Sequence, residues 1–149
     1  MKKRLILFVF MLFSVITYGQ SNQTHLPASK TIVGIWRQTG ATQNGKLVDV
    51  ISGNYKVLNP DGTYFTFVTW GMRDESKNTT IGQFGTYKTT SDSTLVEHVV
   101  KHVIHPPSNG KDNLLKFRLI DENTMIMAWS PGDKTWVDEK WSRLPLSMP

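Results

Sequence analysis

The chain has 149 residues and no cysteine, and 17 Lys and Arg against 12 Asp and Glu give a formal net charge of +5. Without a thiol it can form neither a disulfide nor the lipidated cysteine of a bacterial lipoprotein, so a packed core has to stabilise it. Lys2, Lys3 and Arg4 supply most of the basic excess, because the rest of the chain has 14 basic and 12 acidic residues. This near balance argues against nucleic acid as a partner.

The first 19 residues have the pattern of an export signal. A basic start is followed by a short apolar run, and Thr17-Tyr18-Gly19 places small residues where a signal peptidase expects them. The run is shorter than the roughly 20 residues of a membrane-spanning helix, which argues against an uncleaved anchor. We predict a signal peptide over residues 1–19, a flexible leader over 20–30 and one domain over 31–149. The mature protein is then soluble, periplasmic or secreted, not a lipoprotein, and without a membrane span.

Strand signals separated by turn residues fill the predicted domain. β-Branched and aromatic runs recur at spacings of about 8–12 residues, and no segment carries a long apolar period of 3.6 residues. Sequential hairpins of about eight strands predict an all-β fold, a single up-and-down antiparallel barrel whose closure leaves no sticky edge. The predicted strands span residues 31–37, 55–58, 63–70, 81–90, 95–105, 114–120, 125–129 and 135–144, with a loop over 40–45, an ambiguous segment over 46–52 and bends or bulges at Gly82 and Gly85.

Gly34 and Trp36 lie two residues apart on the opening strand and therefore share a face, and Arg143 lies on the last strand. A Gly-x-Trp on an opening strand, followed by strands alone and a terminal Arg, resembles the lipocalin-like families of the calycin superfamily. The resemblance covers about residues 31–144 at the level of pattern. It implies that Trp36 plugs the closed end of a small barrel, that Arg143 packs over it, and that the protein has a broad binding role.

Alternation along the later strands predicts which side chains face the interior. Phe117 shares a face with two leucines, while a lysine and an arginine occupy the other face, so Phe117 is predicted inside. Met127 and Trp129 share a large, adaptable face on the next strand, which suits either a ligand cavity or a filled core. The faces of strand 63–70 are not decided by its sequence.

Three of the four histidines lie in the predicted strand 95–105. On a strand, His98 and His102 are about 13 Å apart. Zinc–nitrogen bonds are about 2 Å long, so the two histidines cannot hold one ion, and no metal site is predicted. If Glu97 and Lys101 face water, both histidines point into the barrel as neutral hydrogen-bonding groups. They would then orient a ligand or be satisfied by neighbouring side chains.

The predicted function is an exported lipocalin-like protein that binds a small apolar or amphipathic molecule, such as a fatty acid, another lipid or a tetrapyrrole. The alternative is a filled barrel that meets a protein or glycan through the loops 71–78 and 106–112. No nucleophile elbow, phosphate loop or metal-ligand set is visible, so neither catalysis nor a cofactor is predicted. The oligomeric state is not indicated. The predicted ligand-binding residues are His98, His102, Phe117, Met127 and Trp129.

Overall fold

The computed structural model describes residues 31–70, 78–132 and 135–145. The predicted signal peptide and leader, and residues 71–77 of a predicted loop, lie outside these ranges. Within them the chain forms strands joined by short turns, with a single turn of 3-10 helix over Pro106–Ser108. The strands are β1 (Gly34–Gln43), β2 (Lys46–Asp49), β3 (Asn54–Leu58), β4 (Thr63–Trp70), β5 (Asn78–Ser91), β6 (Thr94–His102), β7 (Asp112–Leu119), β8 (Thr124–Trp129) and β9 (Val137–Arg143).

The strands form one antiparallel sheet that closes on itself. Each strand from β3 to β8 pairs with the next in sequence, and β1 pairs with both β3 and β9. The first half of β1 pairs with β3, and its second half pairs with β2, which is an extra strand beside the barrel. The fold is therefore an eight-stranded antiparallel barrel with one additional strand, which confirms the predicted fold class.

β1 continues beyond its predicted end. Residues 40–43, predicted as part of a loop, pair with β2 on one side, and β9 pairs with β1 as far as Ala41 on the other. The turn itself is Asn44-Gly45, with φ of 51° and 75°. Two successive positive φ values are typical of a type I′ hairpin, for which Asn-Gly is the favoured sequence. Residues 40–43 were predicted as loop because they are polar and small. A strand end that is exposed to water can form without an apolar pattern.

The apolar core lies toward the end of the barrel at which β1 begins, here called the closed end. Tyr64 and Met125 are among the side chains that fill it, and alternation places them on the inner face of their strands. Tyr64 faces inward, whereas Phe65 and Phe67 lie on the outer face, where Phe67 stacks on Tyr55 at 4.7 Å between ring centroids. The buried core cluster comprises Ile32, Trp36, Leu58, Tyr64, Leu95, Leu115, Met125, Met127 and Trp141.

Trp36 and Arg143 seal the closed end. The guanidinium carbon of Arg143 lies 4.1 Å from the centroid of the Trp36 ring, so the predicted contact is present. Arg143 also donates hydrogen bonds to backbone carbonyls, from Nη2 to Thr31 at 2.7 Å and from Nε to Glu122 at 2.8 Å. The indole N–H of Trp36 donates to the carbonyl of Ile32 at 2.8 Å. Residues 31–33 are thereby held across the end of the barrel.

A bulge interrupts the pairing of β5 with β6. Phe84 lies opposite Lys101 and Gly85 lies opposite Val99, so Val100 is an extra residue in β6. Glycine is required at position 85 because a Cβ there would collide with the carbonyl oxygen of His98. The predicted bulge at Gly85 is thus observed, and a second register shift leaves Gly82 without a partner in β4.

The bulge changes which side chains of β6 face the interior. Glu97 is 2% exposed and faces inward, whereas His98 lies on the outside. The prediction that His98 points into the barrel is therefore wrong. Beyond the extra residue the alternation is shifted, and His102 lies opposite the inward-facing Gln83. The two histidines, predicted to share a face, lie on opposite faces of the barrel wall.

Candidate functional site

Polar side chains from five strands meet in the middle of the barrel, directly beyond the apolar core. Lys56 lies opposite Trp36, and Glu139 lies opposite Met127 in the strand pairing. Because paired residues of an antiparallel sheet share a face, the register alone brings these polar groups inside. We call this set the interior polar cluster, and its members are Lys56, Tyr64, Gln83, Glu97 and Glu139.

A buried ion pair is the centre of the cluster. Lys56 Nζ donates to Glu97 Oε1 at 2.6 Å, and the two side chains are 8% and 3% exposed. The ammonium also lies 3.6 Å from the sulfur of Met127 and 5.6 Å from the centroid of the Tyr64 ring. Removing two charges from water is costly, so a pair at this depth needs good geometry and further hydrogen bonds to be tolerated.

Tyr64 and Gln83 complete the hydrogen bonds around Glu97. The amide of Gln83 donates to the hydroxyl of Tyr64 and, at 3.3 Å, to Glu97 Oε2. Burial raises the pKa of Tyr64, and the nearby charge of Glu97 raises it further. Among the described residues, no buried side-chain nitrogen or oxygen lacks a hydrogen-bond partner. The hydrogen bonds of the cluster are therefore satisfied as it stands.

Glu139 is the second carboxyl group of the cluster. Its two oxygens accept hydrogen bonds from two indoles, Oε1 from Trp129 at 3.2 Å and Oε2 from Trp141 at 3.1 Å. Burial raises the pKa of Glu139, and Glu97 adds to this effect, while Lys56 and the two indole N–H groups oppose it. Neutral donors hold this carboxyl group in place without cancelling its charge.

Beyond the cluster, the inner-face residues become partly exposed to solvent. Inner-face residues that are nearly inaccessible in the core give way to partly exposed ones at the other end of the same strands, here called the open end. On β8, exposure rises from 0% at Met125 and 1% at Met127 to 40% at Trp129. The interior polar cluster thus lies between the buried core and the partly exposed inner-face residues of the open end. These partly exposed residues include Asn54, Val68, His102, Trp129 and Val137.

The predicted ligand-binding residues fall at different places. Met127 and Trp129 contact the interior polar cluster, through Lys56 and Glu139 respectively. His98 pairs with Asp112 at 2.8 Å on the outer surface. Because it faces outward, it cannot line the interior.

His102 and Phe117 lie at opposite ends of the barrel. His102 is at the open end, where its Nδ1 accepts from the backbone N–H of His105 at 3.0 Å, and burial lowers its pKa. Phe117 packs against the core and lines an open cleft of about 500 Å³ beside residues 31–33. The five predicted residues therefore do not line one common cavity.

The inward orientation of the charged members of the cluster was not predicted from the sequence. Alternation alone contains the signal, since Lys56 is two residues from buried Leu58, and Glu139 is two residues from buried Trp141. For Glu97 the sequence was ambiguous, because valines occupy both faces of β6. The assumption that charged side chains face water then gave the wrong orientation.

The cluster can hold a small polar group by hydrogen bonds and charge. In the part of the chain that the structure describes, no three His, Asp or Glu side chains are grouped so that they could hold a metal ion. No described helix has the length and apolar character to cross a bilayer.

The model of one protein family, described as "Domain of unknown function (DUF4488)", matches residues 31–149. No curated protein matches the chain.

Proposed function

The chain belongs to the DUF4488 family, and from its interior we propose that this barrel binds a small amphipathic molecule that enters through the open end. The observation that carries the proposal is the interior polar cluster, which lies between an apolar core and partly exposed inner-face residues. A ligand would place its polar group on the cluster and its apolar body against Trp129 and the wall of the open end. This is the usual composition of a small-molecule site, mostly apolar with a few convergent polar groups.

The energetics of the cluster support this proposal. A buried ion pair is often no more stabilising than apolar side chains of similar volume, so folding alone gives little reason for one. Titratable groups perturbed by burial and by specific charged neighbours are concentrated at functional sites. Glu139 has both features and lies just below the partly exposed Trp129.

We assign the barrel to the lipocalin-like class as part of this proposal. The support is the closed eight-stranded antiparallel sheet together with the contact between Trp36 and Arg143 at its closed end. The proposed role is binding, since Glu97 is engaged by Lys56 and Glu139 is oriented by two indoles.

Export is also part of the proposal, and it rests on the order of basic, apolar and small residues over 1–19. We expect the mature protein to begin at Gln20 and to be periplasmic or secreted. The intact mass of the protein recovered from outside the cytoplasm tests this, and a mass that retains residues 1–19 would contradict it.

Native mass spectrometry of the mature protein, followed by solvent extraction, tests binding directly. We expect a co-purifying small molecule, or saturable binding in titrations that follow tryptophan fluorescence. Trp129→Ala should weaken binding, because Trp129 lies at the open end above Glu139. Trp136→Ala is the matched control, because Trp136 lies on the outer face of the barrel. There the ammonium of Lys116 lies 4.0 Å from the centroid of the Trp136 ring. If nothing co-purifies and nothing titrates, the filled barrel with an interaction role replaces the proposal.

A further inference from the structure

We propose that the ligand of this barrel carries a protonated amine, which Glu139 binds beneath Trp129. This inference rests on the proposed function and specifies the chemical class of the ligand. It follows from the charges in the interior, from the hydrogen bonds that each of them already has, and from the route to Glu139.

The charges of the interior polar cluster do not balance. In the part of the chain that the structure describes, its charged members are Lys56, Glu97 and Glu139. Lys56 is engaged by Glu97 at 2.6 Å. No cation lies within 4.0 Å of Glu139 among the described residues, and this carboxyl group is in excess.

The hydrogen bonds of Glu139 show what is missing from its surroundings. Both oxygens accept from indole N–H groups, which are neutral. These bonds orient the carboxylate without neutralising it, and burial disfavours its charged form. An ammonium group would supply the opposite charge, and charge-assisted hydrogen bonds are stronger than neutral ones.

Lys56 favours the charged form of Glu139, but no described cation forms an ion pair with it. Lys56 on β3 is committed to Glu97 on β6, and the hydroxyl of Tyr64 on β4 accepts from Gln83. At the open end, burial and the neighbouring His105 lower the pKa of His102, which favours its uncharged form. A cationic ligand is therefore attracted, whereas an anionic ligand would meet two carboxyl groups and a single ammonium.

The route to Glu139 runs past an aromatic ring. Trp129 lies opposite Val137, two residues closer to the open end than Glu139. Two residues of strand span about 7 Å, which is the distance along the barrel from Glu139 to the level of Trp129. A ligand whose amine reaches Glu139 therefore leaves its body between the cluster and the open end. Trp129 is 40% exposed, and an accessible aromatic ring attracts cations. A compact amine with an aromatic or short aliphatic body fits this depth.

Three probes with the same body and different polar groups test the proposal: 2-phenylethylamine, 2-phenylethanol and 3-phenylpropanoic acid. Calorimetric titration into the mature protein at pH 7 should show the amine binding about tenfold or more tightly than the alcohol, and the acid weakest. Glu139→Gln should reduce amine affinity about tenfold or more and alcohol affinity much less, so that the preference for the amine is lost. Asp138→Asn is the matched control, because it removes an exposed carboxylate from the outer face of the same strand and should leave both affinities unchanged.

A dependence on pH adds a second readout. Amine binding requires ionised Glu139, so affinity should fall as the pH is lowered toward the ordinary range of a glutamate, and Glu139→Gln should abolish that fall. Near-ultraviolet circular dichroism checks that the variant is folded. Binding of the alcohol or the acid at least as tightly as the amine overturns amine selection and leaves the binding proposal standing. If no probe binds, amine selection is wrong, and if no molecule co-purifies either, the binding proposal is wrong too.

Discussion

At the scale of single residues, Lys56 shows how strongly a closed barrel can constrain a charged side chain. Its position on β3 places it opposite Trp36, and at 7% exposure it is almost entirely withdrawn from water. Glu97 meets it from β6, far away in sequence, and the pair forms only when the barrel closes. The stability of each charge therefore depends on the presence of the other.

We predict that Lys56→Met destabilises the protein by about 3–5 kcal/mol, because it leaves the carboxyl group of Glu97 buried without a cation. The double variant Lys56→Met/Glu97→Leu should recover most of this loss. Urea unfolding measures both. Lys140→Met is the control, since Lys140 pairs with an exposed Asp49 at 2.9 Å, and such surface pairs contribute about 1 kcal/mol or less. A double variant no more stable than the single one would contradict this view of the pair.

Glu139 gives a second residue-scale prediction, on pH. Its pKa is higher in the folded state than in the unfolded chain, where the ordinary value is 4.5. The folded protein therefore retains a proton that the unfolded chain has lost, and stability falls as the pH rises above about 4.5, until it passes the raised pKa of the folded state. Glu139→Gln should lack this fall. Urea midpoints between pH 4 and pH 8 should show the variant gaining on the wild type, and the opposite trend would contradict the prediction.

At the scale of elements, the bulge in β6 decides what the strand presents to each side. In a strand of regular alternation, His98 and His102 are four residues apart and would share a face. Before the bulge, alternation with Leu95 and Val99 turns Glu97 inward and His98 outward to Asp112, and beyond it the shifted alternation turns His102 inward at the open end. A bulge inserts one residue and so exchanges the faces beyond it.

Cysteine labelling tests the faces of β6, and the cysteine-free chain makes it clean. In single variants, His98→Cys should react rapidly with a polar maleimide, because His98 is exposed. Val99→Cys, its neighbour at 0% exposure, should react only as fast as the protein opens. His102→Cys should react at an intermediate rate. Faster labelling at position 99 than at position 98 would contradict the observed orientation of the strand.

At the scale of the whole molecule, closure joins the first strand to the last. β1 and β9 pair directly, and Arg143 from β9 covers Trp36 from β1 while it holds the backbone of residues 31–33. This contact is far apart in sequence, so it contributes only after the other strands have assembled. It therefore stabilises the complete barrel and no part of it alone.

We predict that Trp36→Ala destabilises the barrel by about 3–5 kcal/mol, through lost burial and the cavity that remains. Gly34→Ala should also destabilise it, because Gly34 has a φ of 148° and a Cβ there would lie 2.5 Å from a guanidinium nitrogen of Arg143. Thermal or urea unfolding measures both. Trp136→Ala serves as the control, since its ring lies outside the core, and a similar loss there would argue against a special role for the closed end.

Much of the fold was predictable from the sequence, because strand signals are local. Turn residues such as Asn59 to Gly62 and the β-branched run that follows them identify a hairpin without knowledge of the rest of the chain. The same holds for the predicted bulge at Gly85 and for the pairing of Trp36 with Arg143, which followed from a resemblance to known barrels. Alternation also identified the inward-facing Phe117 and Met127. Apolar and charged residues occupy opposite faces of the strand of Phe117, and large and small residues occupy opposite faces of the strand of Met127.

Only the tertiary structure decided the composition of the interior polar cluster. Lys56, Glu97 and Glu139 come from β3, β6 and β9. Alternation with Leu58 and Trp141 gives a hint for Lys56 and Glu139, but the charge of all three side chains favours water. Their burial becomes tolerable because the partners meet across the barrel, Lys56 with Glu97 and Glu139 with Trp129 and Trp141. In β6, valines on both faces leave the alternation undecided, and the bulge at Val100 then separates the two histidines. The sequence by itself determined a closed barrel of antiparallel strands, because pairing follows local β-propensity and turns. The charges inside it depend on contacts between distant strands, which no local pattern encodes.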